Sequence, residues 1–140
     1  LQPVLDTIKL AHKLGIWIEI TTLVIPNKND SDEELNKTAN FISSIDKNIP
    51  WHVTAFHPDY KMTNLPSTGY GILNKAYNIG KKAGLNYVYV GNIVDDEHSN
   101  TYCPNCNSLL IKRSGYFISI ENLKNGTCKK CSEKIHGIWE

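Results

Sequence analysis

No cysteine precedes Cys103, so neither a disulfide framework nor a thiolate metal loop can occur in the first three quarters of the chain. No stretch approaches the roughly 20 apolar residues that span a bilayer. No charged start followed by an apolar run reads as a secretion signal, so a cytoplasmic location is the expectation. Neither sign of charge dominates. With 15 basic and 14 acidic residues the formal net charge is +1, which by itself implies neither a nucleic acid nor an acidic membrane as partner. Methionine occurs once, as Met62, and Leu1 already lies inside a helical pattern, so the expectation is a piece of a longer protein.

What is present alternates. Leu5, Ile8, Ala11 and Leu14 fall near helical spacing over residues 1–14. "IWIEITTLVI" (16–25) is β-branched and apolar, as expected of a largely buried strand. After "PNKND", Ser31 is placed to cap a helix over 31–46, with Glu33 and Glu34 favourable to its dipole and Leu35, Ala39, Ile42 and Ile45 on one stripe. "WHVTAF" (51–56) reads as a second strand and "NYVYVGN" (86–92) as a third. Between them Ile72, Ala76, Ile79 and Ala83 stripe a helix that stops at Gly84. Helices alternating with apolar strands imply a parallel sheet, in which ligands gather where the strands' C-terminal ends open into loops. "PNKND", "HPDYKM" and "GNIVDDEHSN" occupy that edge. Three strands cannot close a barrel, so the sheet is expected to belong to a larger one.

From Asn100 the composition changes, and "LLIKRSGYFISI" reads as two short strands about a Ser114-Gly115 turn. Two domains are expected, 1–99 and 100–140, the second of roughly 40 residues and too small for a strong core without a staple. The staple is in the spacing. Cys103 and Cys106, then Cys128 and Cys131, form two C-x-x-C pairs with 21 residues between them, close to a four-thiolate zinc pattern. Two residues between cysteines let both sulfurs reach one ion from a tight turn, and two such turns complete a tetrahedron. Disulfides, a "CPNC" redox dithiol and a rubredoxin-like iron site are the competing readings. Zinc pairs of this kind often carry glycine after the second cysteine, where Asn107 and Ser132 stand here; asparagine tolerates a left-handed backbone better than serine does. A closed four-cysteine site leaves no open coordination position, so its expected role is structural.

Four blocks in order, "GIWIEITTLVIPNKNDSDEEL", "WHVTAFHPDYKMTNLPST", "GLNYVYVGNI" and "NTYCPNCNSLLIKRSGY", resemble the C-terminal half of the AmmeMemoRadiSam-system radical SAM enzymes, relatives of the pyruvate formate-lyase activating enzyme. The resemblance implies a partial (β/α) barrel segment with parallel strands, plus a small C-terminal zinc-ribbon-like β domain. It implies a parent whose [4Fe–4S] cluster, on a C-x-x-x-C-x-x-C loop, cleaves S-adenosylmethionine to a 5′-deoxyadenosyl radical. That loop is absent here, so this chain is not expected to be catalytic alone. It would supply part of the S-adenosylmethionine and substrate pocket, its partners being the missing N-terminal half of the barrel and a substrate, a protein among the candidates. Carried over residue by residue, the resemblance points to Thr21, Thr22 and His57 as cofactor-binding. Where those relatives carry a basic residue on the first strand, this sequence has Glu19.

The residues also admit plainer readings. His57 ends a strand before Pro58 and is either a site residue or a loop histidine capping backbone. Glu19 shares a strand face with Thr21, and a buried glutamate there needs a partner, either a ligand or a lysine. His52 and Thr54 could line the same interior. Asp95, Asp96, Glu97 and His98 read as a solvated linker more readily than as a metal cluster. The alternative function is a ribbon that recruits a protein or nucleic acid on an α/β scaffold, for which Lys112, Arg113 and Tyr116 offer thin material. The open sheet edge predicts dimerisation or aggregation.

Overall fold

A computed structural model describes residues 1–139 of the chain. Apolar residues at helical spacing produce α1 (Gln2–Lys13), α2 (Asp32–Ile45) and α3 (Tyr70–Lys82). β-Branched runs between them produce β1 (Ile20–Val24), β2 (Trp51–Ala55) and β3 (Val88–Gly91). Ser31 caps α2 as expected, its Oγ accepting from the Glu34 amide at 3.3 Å. α3 ends at Gly84, whose φ of +88° suits glycine.

The three strands pair in parallel in the order β1-β2-β3. Alternation then sorts the side chains. Trp51, Val53, Ala55, Val88, Val90 and Val24 face α2 and α3, and with Leu35, Ala39, Ile42, Leu73 and Ala76 make the main core. The expected apolar stripes hold for α2, whereas α3 buries Leu73, Ala76, Ile79 and Gly80, with Ile72 and Ala83 at its margin. α1 forms where expected, but at the margin. None of its residues is buried, and Leu14 is exposed, because the helix touches only the flank of α2 through Lys9 over the Phe41 ring and His12 beside Asp46. The first strand is also shorter than 16–25, since residues 16–19 lie before β2 offers ladder partners.

Trp51 is fully buried at the centre of this core, and Gly80 of α3 lets the helix approach it. A Cβ on Gly80 would sit 2.8 Å from Trp51 and 2.9 Å from Val88, both anchored in the sheet. Gly80→Ala is therefore expected to destabilise by about 1–3 kcal/mol, against the usual helix preference for alanine. Chemical denaturation measures it; an unchanged or raised midpoint would contradict this packing.

The opposite face of the sheet carries Thr21, Leu23, His52, Thr54, Tyr89 and Gly91, and among the described residues no helix covers it. Purely parallel sheets are normally covered on both faces. Here the C-terminal unit covers the end of that face where the strands begin. It contains β4 (Thr101–Tyr102), β5 (Leu109–Ser114) and β6 (Phe117–Ile120) in one antiparallel sheet, and β7 (Leu123–Lys124) and β8 (Thr127–Cys128) in a hairpin. Asn125 and Gly126, at φ of +49° and +67°, make the β7–β8 turn, as the left-handed pair of a tight hairpin requires. Tyr87 joins Cys103, Leu110, Leu123, Cys128 and Ile135 in a second core, so β3 and its approach contribute to both.

Candidate functional site

The four cysteine sulfurs converge, all within 4.8 Å of one another. Cys103 lies 3.5 Å from Cys131, and Cys106 lies 3.7 Å from Cys128. A tetrahedron of thiolates around an ion at about 2.3 Å has edges of about 3.8 Å, so the cluster is of the right size. The cysteines are unbridged. The two loops are built alike. Asn107 N–H donates to Cys103 C=O and Ser132 N–H to Cys128 C=O, both at 2.9 Å, and the Cys103 and Cys128 amides donate to Ser108 and Glu133, also at 2.9 Å. Asn107 and Ser132 adopt φ of +56° and +63°, so the left-handed conformation forms in both loops, the serine included.

Burial sets the electrostatics. It pushes the Cys103 thiol up to about 12, while the Ser108 hydroxyl and amide draw Cys106 down to about 6. A buried thiolate without a counter-ion is costly, and a divalent cation supplies that counter-charge. The donor set therefore fits a metal ion such as zinc, held by Cys103, Cys106, Cys128 and Cys131.

The acidic run after β3 leaves Asp96 and Glu97 exposed but turns Asp95 and His98 inward. Asp95 accepts from the Glu97 and His98 amides and lies 2.9 Å from His98 Nδ1, with its own side chain 3% exposed. Ser99 and Asn100 fold back onto the Asp95 and Asp96 carbonyls, and His98 C=O receives the Val90 amide. Short polar side chains at two- to four-residue spacing bond their own backbone, which folds the run into a turn. Among the described residues, the four cysteines are the one group placed to hold a metal.

Burial raises the Asp95 carboxyl, but the His98 and Glu97 amides and the His98 ring outweigh it and hold the group low. Burial raises the Glu19 carboxyl as well, but hydrogen bonds from Trp17 and His52, with the His52 and Arg113 charges, outweigh it and leave a net lowering. A depressed carboxyl stabilises the fold above its unfolded value near ~4 and loses that contribution as pH falls through the folded value. Stability is therefore expected to fall as pH drops below about 4, and Asp95→Asn should flatten that slope. Denaturation midpoints across this range measure it; identical slopes in the two proteins would refute the role of Asp95.

Glu19 is exposed rather than buried, and its partner is a histidine. His52 Nε2 lies 2.6 Å from Glu19 Oε2, and Trp17 Nε1 donates to Glu19 Oε1 at 3.1 Å. Tyr89 stacks on His52 at 5.2 Å, and the Arg113 guanidinium lies over the same Tyr89 ring at 5.4 Å. Register explains the grouping, since Thr21, His52 and Tyr89 are consecutive across the sheet. Thr22 does not join them. It points to the opposite face, where its hydroxyl accepts from the Trp51 indole at 2.9 Å.

His57 lies at the other end of the strands, exposed, in an open cleft of about 690 Å³ with Leu23, Tyr60, Met62, Thr68 and Asn92. The structure thus separates His57 from Glu19. Thr68 shapes this cleft by donating to Val24 C=O and accepting from the Phe56 amide, which ties the loop to β1 and β2. Tyr60 holds φ of +48°, a strained conformation for an aromatic residue. Sequence reading missed Thr68, Tyr89 and the inward turn of Arg113. Only Arg113's alternation on β5, opposite Lys112 and Ser114, hinted at its direction.

No protein-family model matches the chain, and no solved structure does. No helix among the described residues is long and apolar enough to cross a membrane. Over 138 residues the chain is 47% identical to an uncharacterized protein of Methanocaldococcus jannaschii, a match that takes in 96% of this chain and 41% of that protein's length.

Proposed function

We propose that the chain is the C-terminal part of a radical SAM enzyme of the activating-enzyme type, acting as one wall of a partial barrel. The observation that carries this reading is the two-faced sheet. Helices cover one side, and a polar row of Thr21, His52, Tyr89 and Thr54 lines the other. Such a face suits the interior of a curved parallel sheet, with the cleft around His57 at the strand ends where S-adenosylmethionine and substrate would meet. Thr21 and His57 are the cofactor-facing candidates in this proposal, and Thr22 supports them from the core side. The four cysteines hold a structural zinc in a ribbon-like unit. The cluster-binding loop, and with it any [4Fe–4S] chemistry, lies outside this chain.

The test is to express the reading frame that contains these residues anaerobically with iron and sulfide. A four-iron cluster and reductive release of 5′-deoxyadenosine from S-adenosylmethionine are expected. A frame without a C-x-x-x-C-x-x-C loop, or with no such release, would overturn the proposal. The unpaired outer edge of β1 is where the N-terminal half would dock, and without it two copies would associate there. A clean monomer by light scattering at micromolar concentration would contradict that.

A second reading keeps the C-terminal unit as a recruiting module. Tyr116, Phe117, Ile118 and Ile120 are 104%, 85%, 68% and 65% exposed, an apolar hairpin suited to a protein surface more than to phosphate. Capture of nucleic acid in a low-salt gel shift would instead favour the nucleic-acid form of this reading.

A further inference from the structure

The pocket between the sheet's uncovered face and the C-terminal unit belongs neither to the metal centre nor to the cleft around His57. It encloses about 620 Å³, and its walls include Trp17, Glu19, His52, Tyr89, Arg113 and Trp139. Three properties define what it could hold.

The first is charge. Glu19 and Arg113 bring one charge of each sign, so an anion is opposed by the carboxylate and a cation by the guanidinium. A neutral guest fits best. The second is shape. Trp17 stacks on His136 at 5.2 Å, Tyr89 stacks on His52 at the same distance, and Trp139 stands nearby, so the walls are flat rings.

The third is unused hydrogen-bonding capacity. Glu19 Oε1 receives Trp17 and Oε2 lies against His52 Nε2. In the neutral imidazole the proton therefore sits on Nε2, which leaves Nδ1 as an acceptor. Among the described residues Nδ1 has no protein partner. Arg113 directs Nη1 at Ser99 C=O (3.0 Å) and Thr101 Oγ1 (2.8 Å), which fixes the side chain with its guanidinium against Tyr89 on the pocket wall. His52 and Arg113 thus both line the pocket, each against the Tyr89 ring.

We propose that this pocket is a binding site for a neutral, flat heterocycle presenting a ring N–H beside a carbonyl, with His52 accepting the N–H and Arg113 donating to the oxygen. A lactam of this kind satisfies both groups at once and places its ring against the aromatic walls. The site uses residues of this chain alone, so it stands or falls independently of radical chemistry in a parent enzyme. It also needs the C-terminal unit in place, because Arg113 and Trp139 come from there.

The test uses the metal-loaded chain at about pH 8, above the ordinary histidine range near ~6.5. Hypoxanthine is titrated in while amide and indole resonances are followed by NMR. Saturable shifts at His52, Tyr89, Arg113 and Trp17 are expected. His52→Leu and Arg113→Gln should each weaken binding about tenfold, the loss of one hydrogen bond to a fixed partner. Lys37→Ala, on the exposed side of α2, should leave it unchanged, and indole, which lacks the carbonyl, should bind more weakly. Retained metal content and helical signal show that each variant is folded. Three outcomes would overturn the proposal: no saturable shift up to the solubility limit, shifts confined to the His57 cleft, or unaltered affinity in both folded variants.

Discussion

Stripping the metal is expected to unfold the C-terminal unit while leaving the helical signal of the α2–α3 core largely intact. The second core consists of Tyr87, Cys103, Leu110, Leu123, Cys128 and Ile135, and two of these six belong to the cysteine cluster that fits a metal. Its remaining apolar residues are too few to hold five short strands against the entropy of ordering them, roughly 1–2 kcal/mol per residue. Binding free energy at a structural four-ligand zinc site is on the order of 10 kcal/mol or more, so an ion at the four cysteines would dominate the stability of this unit. Metal analysis should give one ion per chain. Chelation should change the emission of Trp139, which packs on Gly126 and Gly137 and donates to Ile135 C=O, while Trp51 in the other core stays shielded. Cys128→Ser, at a buried ligand, should do the same without a chelator. Protein that melts identically with and without chelator would refute a structural ion here.

The second large effect is expected from Trp51→Ala. Trp51 is fully buried, contacts Gly80 of α3 and donates to Thr22 on β1. Truncation leaves a ring-sized cavity between sheet and helix and orphans the Thr22 hydroxyl, a loss of about 3–5 kcal/mol. That is a large part of the stability of an ordinary domain, about 5–15 kcal/mol. Trp51→Phe, which keeps most of the volume, should recover much of the loss, and Gly80 should then tolerate alanine better. Equal stability of Trp51→Ala and the parent chain would mean that the core is not organised around this ring.

The elements and the cysteine cluster were legible in the sequence because both rest on local rules. Apolar spacing marked α2, α3 and the three strands, and the C-x-x-C pairs marked a metal site whose sulfurs the fold brings together. The spacing marked α1 too, but helical spacing reveals which face could be buried, not whether anything lies opposite, and none of its residues is buried. Thr21 and Thr22 looked equivalent as neighbours, but the alternation of a strand sends one to each face, and only the helix positions decide which face is core. The acidic run was taken for a linker since composition does not record that Asp95 turns its carboxylate onto its own backbone. Glu19 was expected to pair with a ligand or a lysine. Its meeting with His52 depends on the register of β1 against β2, which no residue count within either strand specifies.

Strand order has a consequence for how such a chain could lengthen. Each passage through a helix returns the backbone one position over, always in the same direction and with both helices stacked on the same side. The architecture climbs like a spiral stair, so a further strand-and-helix step added before β1 would meet the same landing as the one that follows it. Growth by whole steps keeps every existing tread in place.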